Sequence, residues 1–277
     1  MLPSNRVLFT AVEGTLLDSA SASSWSAASE ALDEIARRHI PLVLVTSGTR
    51  AELEPLRQKI EHGHPFITES GGGIFLADGY FTRRLEGAMR VARYFCVPLG
   101  RPYAEATAAA EELAEETGAT IVGYSQMTAR EIARNTGQSV RQAELARQRE
   151  FSERFFFAGD ADAVTADFER KARASKWDVI RDDPFWELRS GNDEARALRH
   201  LMGLYRAALH TRLHAIAIGS SARDLPLLAA ADHAIVLPRR GQDFDPALSS
   251  KLPKAIHGDA PGPKGWNQAV LTMLEDS

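Results

Sequence analysis

Short apolar runs alternate with longer amphipathic stretches over the first part of the chain. Val7–Thr10, Pro41–Thr46 and Pro65–Thr68 each read as a short buried strand. Between them, a helix over Ser26–Arg38 places Ala28, Leu32, Ile35 and Ala36 on one face, and a second helix covers Arg50–Ile60. This βαβαβ order with short connections predicts parallel strands joined by right-handed crossovers. The turn Glu69-Ser70-Gly71-Gly72-Gly73 interrupts it. Three consecutive glycines permit positive φ and a close backbone approach by another segment. Ile74-Phe75-Leu76 then resumes as a strand, turned by Ala77-Asp78-Gly79.

From about residue 85 to 185 the pattern changes. Tyr103–Glu116 is an Ala/Glu-rich helix, Thr120–Tyr124 a strand and Thr128–Asn135 a short helix. Ser139–Glu150 reads as a longer helix, Arg154–Ala158 as an aromatic strand and Asp162–Ala174 as another helix, before strands Asp178–Arg181 and Phe185–Leu188. The section reads as an α+β insertion. The first pattern then returns: helix Asp193–Tyr205, strand His214–Ile218, helix Arg223–Ala229, strand Ala234–Leu237 and a last helix over Trp266–Leu274. The expected organisation is a core of residues 1–84 and 186–277 with an inserted unit over 85–185.

Composition narrows the partners. The 277 residues are 44% hydrophobic and 25% charged with net charge −4, the profile of an ordinary globular protein. With no long basic tract, neither nucleic acid nor an anionic membrane is an expected partner. The single cysteine, Cys96, allows no internal disulfide, and the chain enters its first strand without the apolar stretch of a secretion signal. Both point to a cytoplasmic location.

Chemistry in an open α/β sheet sits where strands give way to loops. Phe9-Thr-Ala-Val-Glu-Gly-Thr15 is such a transition, with Val45–Arg50, Pro65–Gly73, Gly219–Leu228 and Pro261-Gly-Pro-Lys-Gly265 as further loop segments. In their order along the chain, together with Gly123-Tyr124, Met127-Thr128-Ala129 and Arg149-Glu-Phe-Ser-Glu153, they resemble the haloacid-dehalogenase-like (HAD) phosphatases of the Cof-type branch. Within that branch they are similar to the mannosyl-3-phosphoglycerate phosphatases. The resemblance implies a Rossmannoid parallel-sheet core with an inserted α+β cap, and a Mg²⁺-dependent phosphatase.

That resemblance also shows what has changed. The nucleophilic Asp of the family corresponds to Ala11, whose methyl group forms no phosphoenzyme. The acid/base Asp corresponds to Glu13, either a proton donor or a solvated loop carboxylate. Thr46 and Ser47 keep the phosphate-binding hydroxyls. The family's lysine corresponds to Glu194; at about 4 Å and an effective dielectric near 20, losing one such attraction costs roughly 4 kcal/mol. Glu194 either enters the cleft or points to solvent at a helix N-terminus, with Arg189, Arg196 or Arg223 as substitutes for the missing cation. Of the metal-holding acids Asp224 is kept and Ser220 replaces the other, so Mg²⁺ is expected to bind weakly or not at all; the other reading of Asp224 is the cap of the helix Arg223–Ala229.

In the cap, Tyr124, Thr128, Arg149 and Ser152 correspond to segments facing the sugar and glycerate in the family, with Gly71, Gly72 and Gly73 on the core side. Their other reading is a capped helix with its exit loop. A kept cap over a dismantled catalytic floor implies a ligand-binding or regulatory pseudophosphatase. Its partners would be a phosphorylated sugar or glycerate compound, a partner enzyme or a second copy of the chain. The alternative is an active phosphohydrolase with rearranged catalytic residues.

Overall fold

The computed structural model describes residues 5–18, 25–82, 85–159, 161–182, 184–241 and 243–275. The described strands, in chain order, are β1 (Arg6–Ala11), β2 (Leu42–Val45), β3 (Phe66–Thr68), β4 (Gly73–Ala77), β5 (Met89–Val91), β6 (Tyr94–Pro98), β7 (Ile121–Gly123), β8 (Ser152–Phe157), β9 (Asp178–Asp182), β10 (Phe185–Arg189), β11 (His214–Gly219), β12 (His233–Val236) and β13 (Ile256–His257). Among the described residues they form a nine-stranded sheet in the order β13-β12-β11-β1-β2-β3-β4-β6-β5 and a four-stranded sheet in the order β7-β8-β10-β9.

From β13 to β3 every neighbour in the large sheet is parallel, as the βαβ order requires. Beyond β3 the pairing becomes antiparallel. The central strands β1 and β2 are buried on both faces, which explains their continuous apolar runs. Alternate side chains feed two cores. Leu8, Leu44 and Ile216 pack with Ile35 and Trp266 on one side; Val7, Phe9 and Val43 pack with Leu198, Leu201 and Tyr205 on the other. The small sheet is antiparallel throughout. Phe155 and Leu188 pack there against Ala106, Ala110 and Phe168, while Tyr124 and Phe185 pack on Ile132 and Ala143.

Three features differ from the sequence reading. Met89–Val91 and Tyr94–Pro98 lie within 85–185 yet hydrogen-bond into the large sheet, so the change of sheet follows Pro98. The helix expected over Ser139–Glu150 is only Val140–Ala146, because the amides of Glu150 and Phe151 are taken by the Glu69 carboxylate instead of by helix carbonyls. The last helix begins at Gly262 rather than Trp266. No described helix is long and apolar enough to cross a membrane.

Candidate functional site

The C-terminal ends of β1, β2 and β11 meet at one edge of the large sheet, and the residues singled out in their loops come together there. Ala11 closes β1 beside Val45, with its methyl group buried. Thr46, buried just past β2, donates its hydroxyl to Glu13 Oε1 at 2.5 Å and accepts the Gly48 amide at 2.9 Å. Glu13 as a residue remains open to the cleft, but the surrounding walls desolvate its carboxyl and push it up to about 6. The Thr46 hydrogen bond works against that rise, while Glu52 and Asp224 add like charge.

Glu194 is the first residue of the helix Glu194–Leu209, and it does not point to solvent. It is 9% exposed, and its Oε2 is buried without a hydrogen-bond partner. Capping falls to Asp193, whose Oδ1 accepts the amides of Ala195 and Arg196. Burial first, then the charges of Asp224, Glu13 and Asp193, push Glu194 up to about 8, with Arg189 acting in the opposite sense. A value held that far above the ordinary carboxylate range favours the protonated, neutral form of this side chain.

Ser220, also buried, accepts a hydrogen bond from Thr15 Oγ1 at 3.1 Å and donates to the Gly14 carbonyl at 3.2 Å. It stitches the loop after β11 to the loop after β1. Asp224 Oδ2 accepts the amides of Ser220 and Ser221 at 2.7 and 2.9 Å, so this carboxylate organises its own loop. Burial raises its pKa despite those bonds. These side chains do not fit Mg²⁺: Ala11 has no side-chain oxygen to offer, the Ser220 hydroxyl is committed, and one Asp224 oxygen is spent on amides. Among the described residues no group of three or more His, Cys, Asp or Glu side chains is arranged to hold a metal ion.

The glycine turn is packed against protein. Gly71 has φ +91°, and a Cβ there would lie 2.3 Å from the Asp193 carbonyl carbon. At Gly72 it would meet the Asn192 amide and Phe151 Cβ at 2.6 Å, and at Gly73 the Phe151 ring at 2.4 Å. The close approach read from the sequence is made by the head of the helix at 194 and by the loop before β8.

The cap residues divide similarly. Tyr124 is buried edge-on against Phe185 at 5.2 Å, and Thr128 caps the helix Ala129–Thr136 through a reciprocal box with Glu131. Arg149 and Ser152 are buried between the sheets. Arg149 Nε donates to the Ser152 carbonyl at 2.9 Å, and its Nη2 reaches Glu187 at 3.4 Å and lies 3.6 Å from Glu69. Ser152 Oγ donates to Glu69 Oε2 at 2.7 Å. The hub is Glu69, fully buried, whose Oε1 and Oε2 also take the amides of Glu150 and Phe151 and whose carbonyl takes the Asn192 side-chain amide. Sequence reasoning passed over Glu69 as a turn residue. An acid two residues before three glycines, on a turn between two strands, was the available signal.

Ser47, Arg189, Glu194, Arg196 and Arg223 line a cavity of about 680 Å³ beneath the cap, together with Asp178, Asp182 and Glu187 from the small sheet. Further bonds join the two sheets' elements. Arg50 pairs with Glu150 at 2.9 Å, Thr49 Oγ1 donates to the Leu145 carbonyl at 3.0 Å, and Arg223 pairs with Asp182.

No protein-family model matches the chain. It is 33% identical over 268 residues to a glucosyl-3-phosphoglycerate/mannosyl-3-phosphoglycerate phosphatase of Methanococcoides burtonii, covering 97% of each chain. It is 31% identical over 273 residues to a protein of the same name from Persephonella marina, covering 98% of this chain and 97% of that one. In fold it matches a haloacid dehalogenase-like hydrolase from Bacteroides thetaiotaomicron with a TM-score of 0.66 at 19% identity, over 99% of this chain and 100% of the other. A HAD subclass IIB sugar phosphatase matches with a TM-score of 0.60 at 12% identity, over 98% of this chain and 99% of the other.

Proposed function

This chain belongs to the glucosyl-3-phosphoglycerate/mannosyl-3-phosphoglycerate phosphatase family of the HAD superfamily, and we propose that within it the chain is a pseudophosphatase, binding a phosphorylated sugar or glycerate compound without hydrolysing it. The reading rests on one juxtaposition. At the end of β1 a buried methyl group, Ala11, stands in place of the nucleophile, and the acid that stands in place of the lysine is pushed up to about 8. An ion pair has been exchanged for two groups that are uncharged at neutral pH. In-line attack on phosphorus needs a carboxylate within about 3–3.5 Å of it, and a neighbour's carboxylate does not move into that place without rebuilding the loop.

What remains suits binding. Thr46 and Ser47 stand at the strand end, and the cap is held over the cleft by Glu69, Arg50 and Arg223. We assign the same molecule to the cytoplasm, where its single thiol, Cys96, lies buried and raised in pKa by that burial. An active phosphohydrolase is the competing reading, favoured by Glu13: a carboxyl near 6 is suited to proton transfer near neutral pH.

The test is release of phosphate from mannosyl-3-phosphoglycerate and glucosyl-3-phosphoglycerate with Mg²⁺ present. The expected result is no release above background. Turnover that disappears in Glu13→Gln would replace this reading with the competing one.

A further inference from the structure

A second cavity, of about 590 Å³, opens beside the loop after β1 and shares Glu13 and Ser220 with the cleft described above. Its wall carries two acids, Glu13 and Asp18, against three arginines, Arg223, Arg239 and Arg240, which come from two separate loops after β11 and β12. The 14-residue helix that begins at Gly262 points its N-terminal end into the same space. Helix N-termini and guanidinium groups attract oxyanions by the same sign of charge.

The arginines are not spent on one another's acids. Arg223 shares Asp182 with Arg154, leaving one acid to two guanidiniums. Arg239 stands 3.6 Å from Asp245, beyond hydrogen-bond length, because the Asp245 oxygens already accept the amides of Ala222 and Ala247. The Nε of Arg239 is buried with no hydrogen-bond partner. Arg240 pairs with Asp18 at 2.8 Å at the rim and stays two-thirds exposed. The Arg239 side chain as a whole is 41% exposed, and its guanidinium adds positive charge to the wall that an oxyanion in the cavity would meet.

We propose that this arginine-lined cavity binds the phosphate or carboxylate end of a small organic anion, and that it does so without a divalent cation. The inference rests on the ligand-binding reading above and gives it a place and a chemistry. Charge that related clefts draw from lysine and metal is supplied here by Arg223 and Arg239. The volume lies within the usual range for small-molecule sites, large enough for a three-carbon acid phosphate and more.

The experiment is isothermal titration calorimetry of the full chain in excess EDTA, with 3-phosphoglycerate, inorganic phosphate and glycerate as separate probes. The expected result is saturable binding of 3-phosphoglycerate that changes less than twofold when Mg²⁺ replaces EDTA. Arg239→Ala should weaken it at least tenfold, with Arg239→Lys in between and the thermal midpoints of all three proteins alike. Whichever of phosphate or glycerate competes identifies the end that the arginines hold. No saturable heat at millimolar probe, a requirement for Mg²⁺, or wild-type affinity in Arg239→Ala would each overturn the proposal. Phosphate release in the assay above would overturn the pseudophosphatase reading and leave this one standing.

Discussion

Arg223, on the loop after β11, pairs with Asp182 at the end of cap strand β9, closing the cleft with an ion pair between the two sheets. Asp182 is also held by Arg154 of β8, so one acid is anchored in the cap while it holds an arginine of the core. Because the Arg223 side chain is 57% exposed, the pair contributes little to global stability, about 1 kcal/mol or less. Its effect is on opening. Arg223→Ala should leave the denaturant midpoint nearly unchanged while amides of Ser221–Asp224 and of β9 exchange faster with deuterium. Unchanged exchange at both segments would show that the cap is held by other contacts alone.

Those other contacts converge on Glu69, and they carry a larger energy. The carboxylate is fully buried, takes two cap amides and the Ser152 hydroxyl, and faces Arg149. Burial raises its pKa in spite of that support. Removing one member of a buried pair leaves the other uncompensated and costs roughly 3–5 kcal/mol. Glu69→Ala should lose about that much in urea unfolding, and the Glu69→Ala/Arg149→Met double variant should lose less than the sum of the two single changes. Strict additivity would mean that the two side chains act independently.

Much of this fold is written locally, and the hub is not. The strand β1, the helix ending at Arg37 and the alternating elements after Ser190 follow from apolar period and capping residues, which need only neighbours in sequence to be read. Thr128 and Glu131 announce their helix start in the same way. Glu69 and Arg149 meet across 80 positions of chain, and the glycines that follow Glu69 mark a close approach without naming Arg149 as its partner. The helix expected to run to Glu150 likewise ends at Ala146, and the amides of Glu150 and Phe151 are engaged by Glu69 from another element. At the cleft, which residues stand at 11, 13, 194, 220 and 224 was legible, but their environments were not. The outward Glu194 was the reasonable expectation for a helix N-terminus, and only the packing of Asp193 against Gly71 turns that position inward.

The buried Glu194 carboxyl makes stability depend on pH in an uncommon direction. Burial pushes it up to about 8 from an ordinary 4.5, so between those values the folded state holds a proton that the unfolded chain releases. The protonated form's contribution is complete below 4.5 and falls as pH rises toward 8, by at most about 1.4 kcal/mol per pH unit. Glu194→Gln keeps the shape and removes the titration. Its melting temperature should match the wild type near pH 4.5 and exceed it increasingly up to pH 8. A constant difference across that window would mean that Glu194 does not titrate where its burial places it.

The same acid decides how the site responds to a carboxylate placed at position 11. Ala11→Asp adds a carboxylate at a position only 5% exposed, beside Glu13 and near Glu194 and Asp224, all of them already raised in pKa. Like charges in that space leave the new acid either neutral or repelled, and the single variant should lose about 1–3 kcal/mol with no phosphate release. Adding Glu194→Lys supplies the opposite charge, and the double variant should recover most of that loss, a coupling that a double-mutant cycle in urea reads directly. Hydrolysis should still be absent, because the Ser220 hydroxyl remains committed to Gly14 and Thr15 and offers Mg²⁺ no carboxylate. Only the triple variant with Ser220→Asp should release phosphate from mannosyl-3-phosphoglycerate in a Mg²⁺-dependent way. Turnover by Ala11→Asp alone would mean that neither a cation at position 194 nor a carboxylate at position 220 limits the reaction in this cleft.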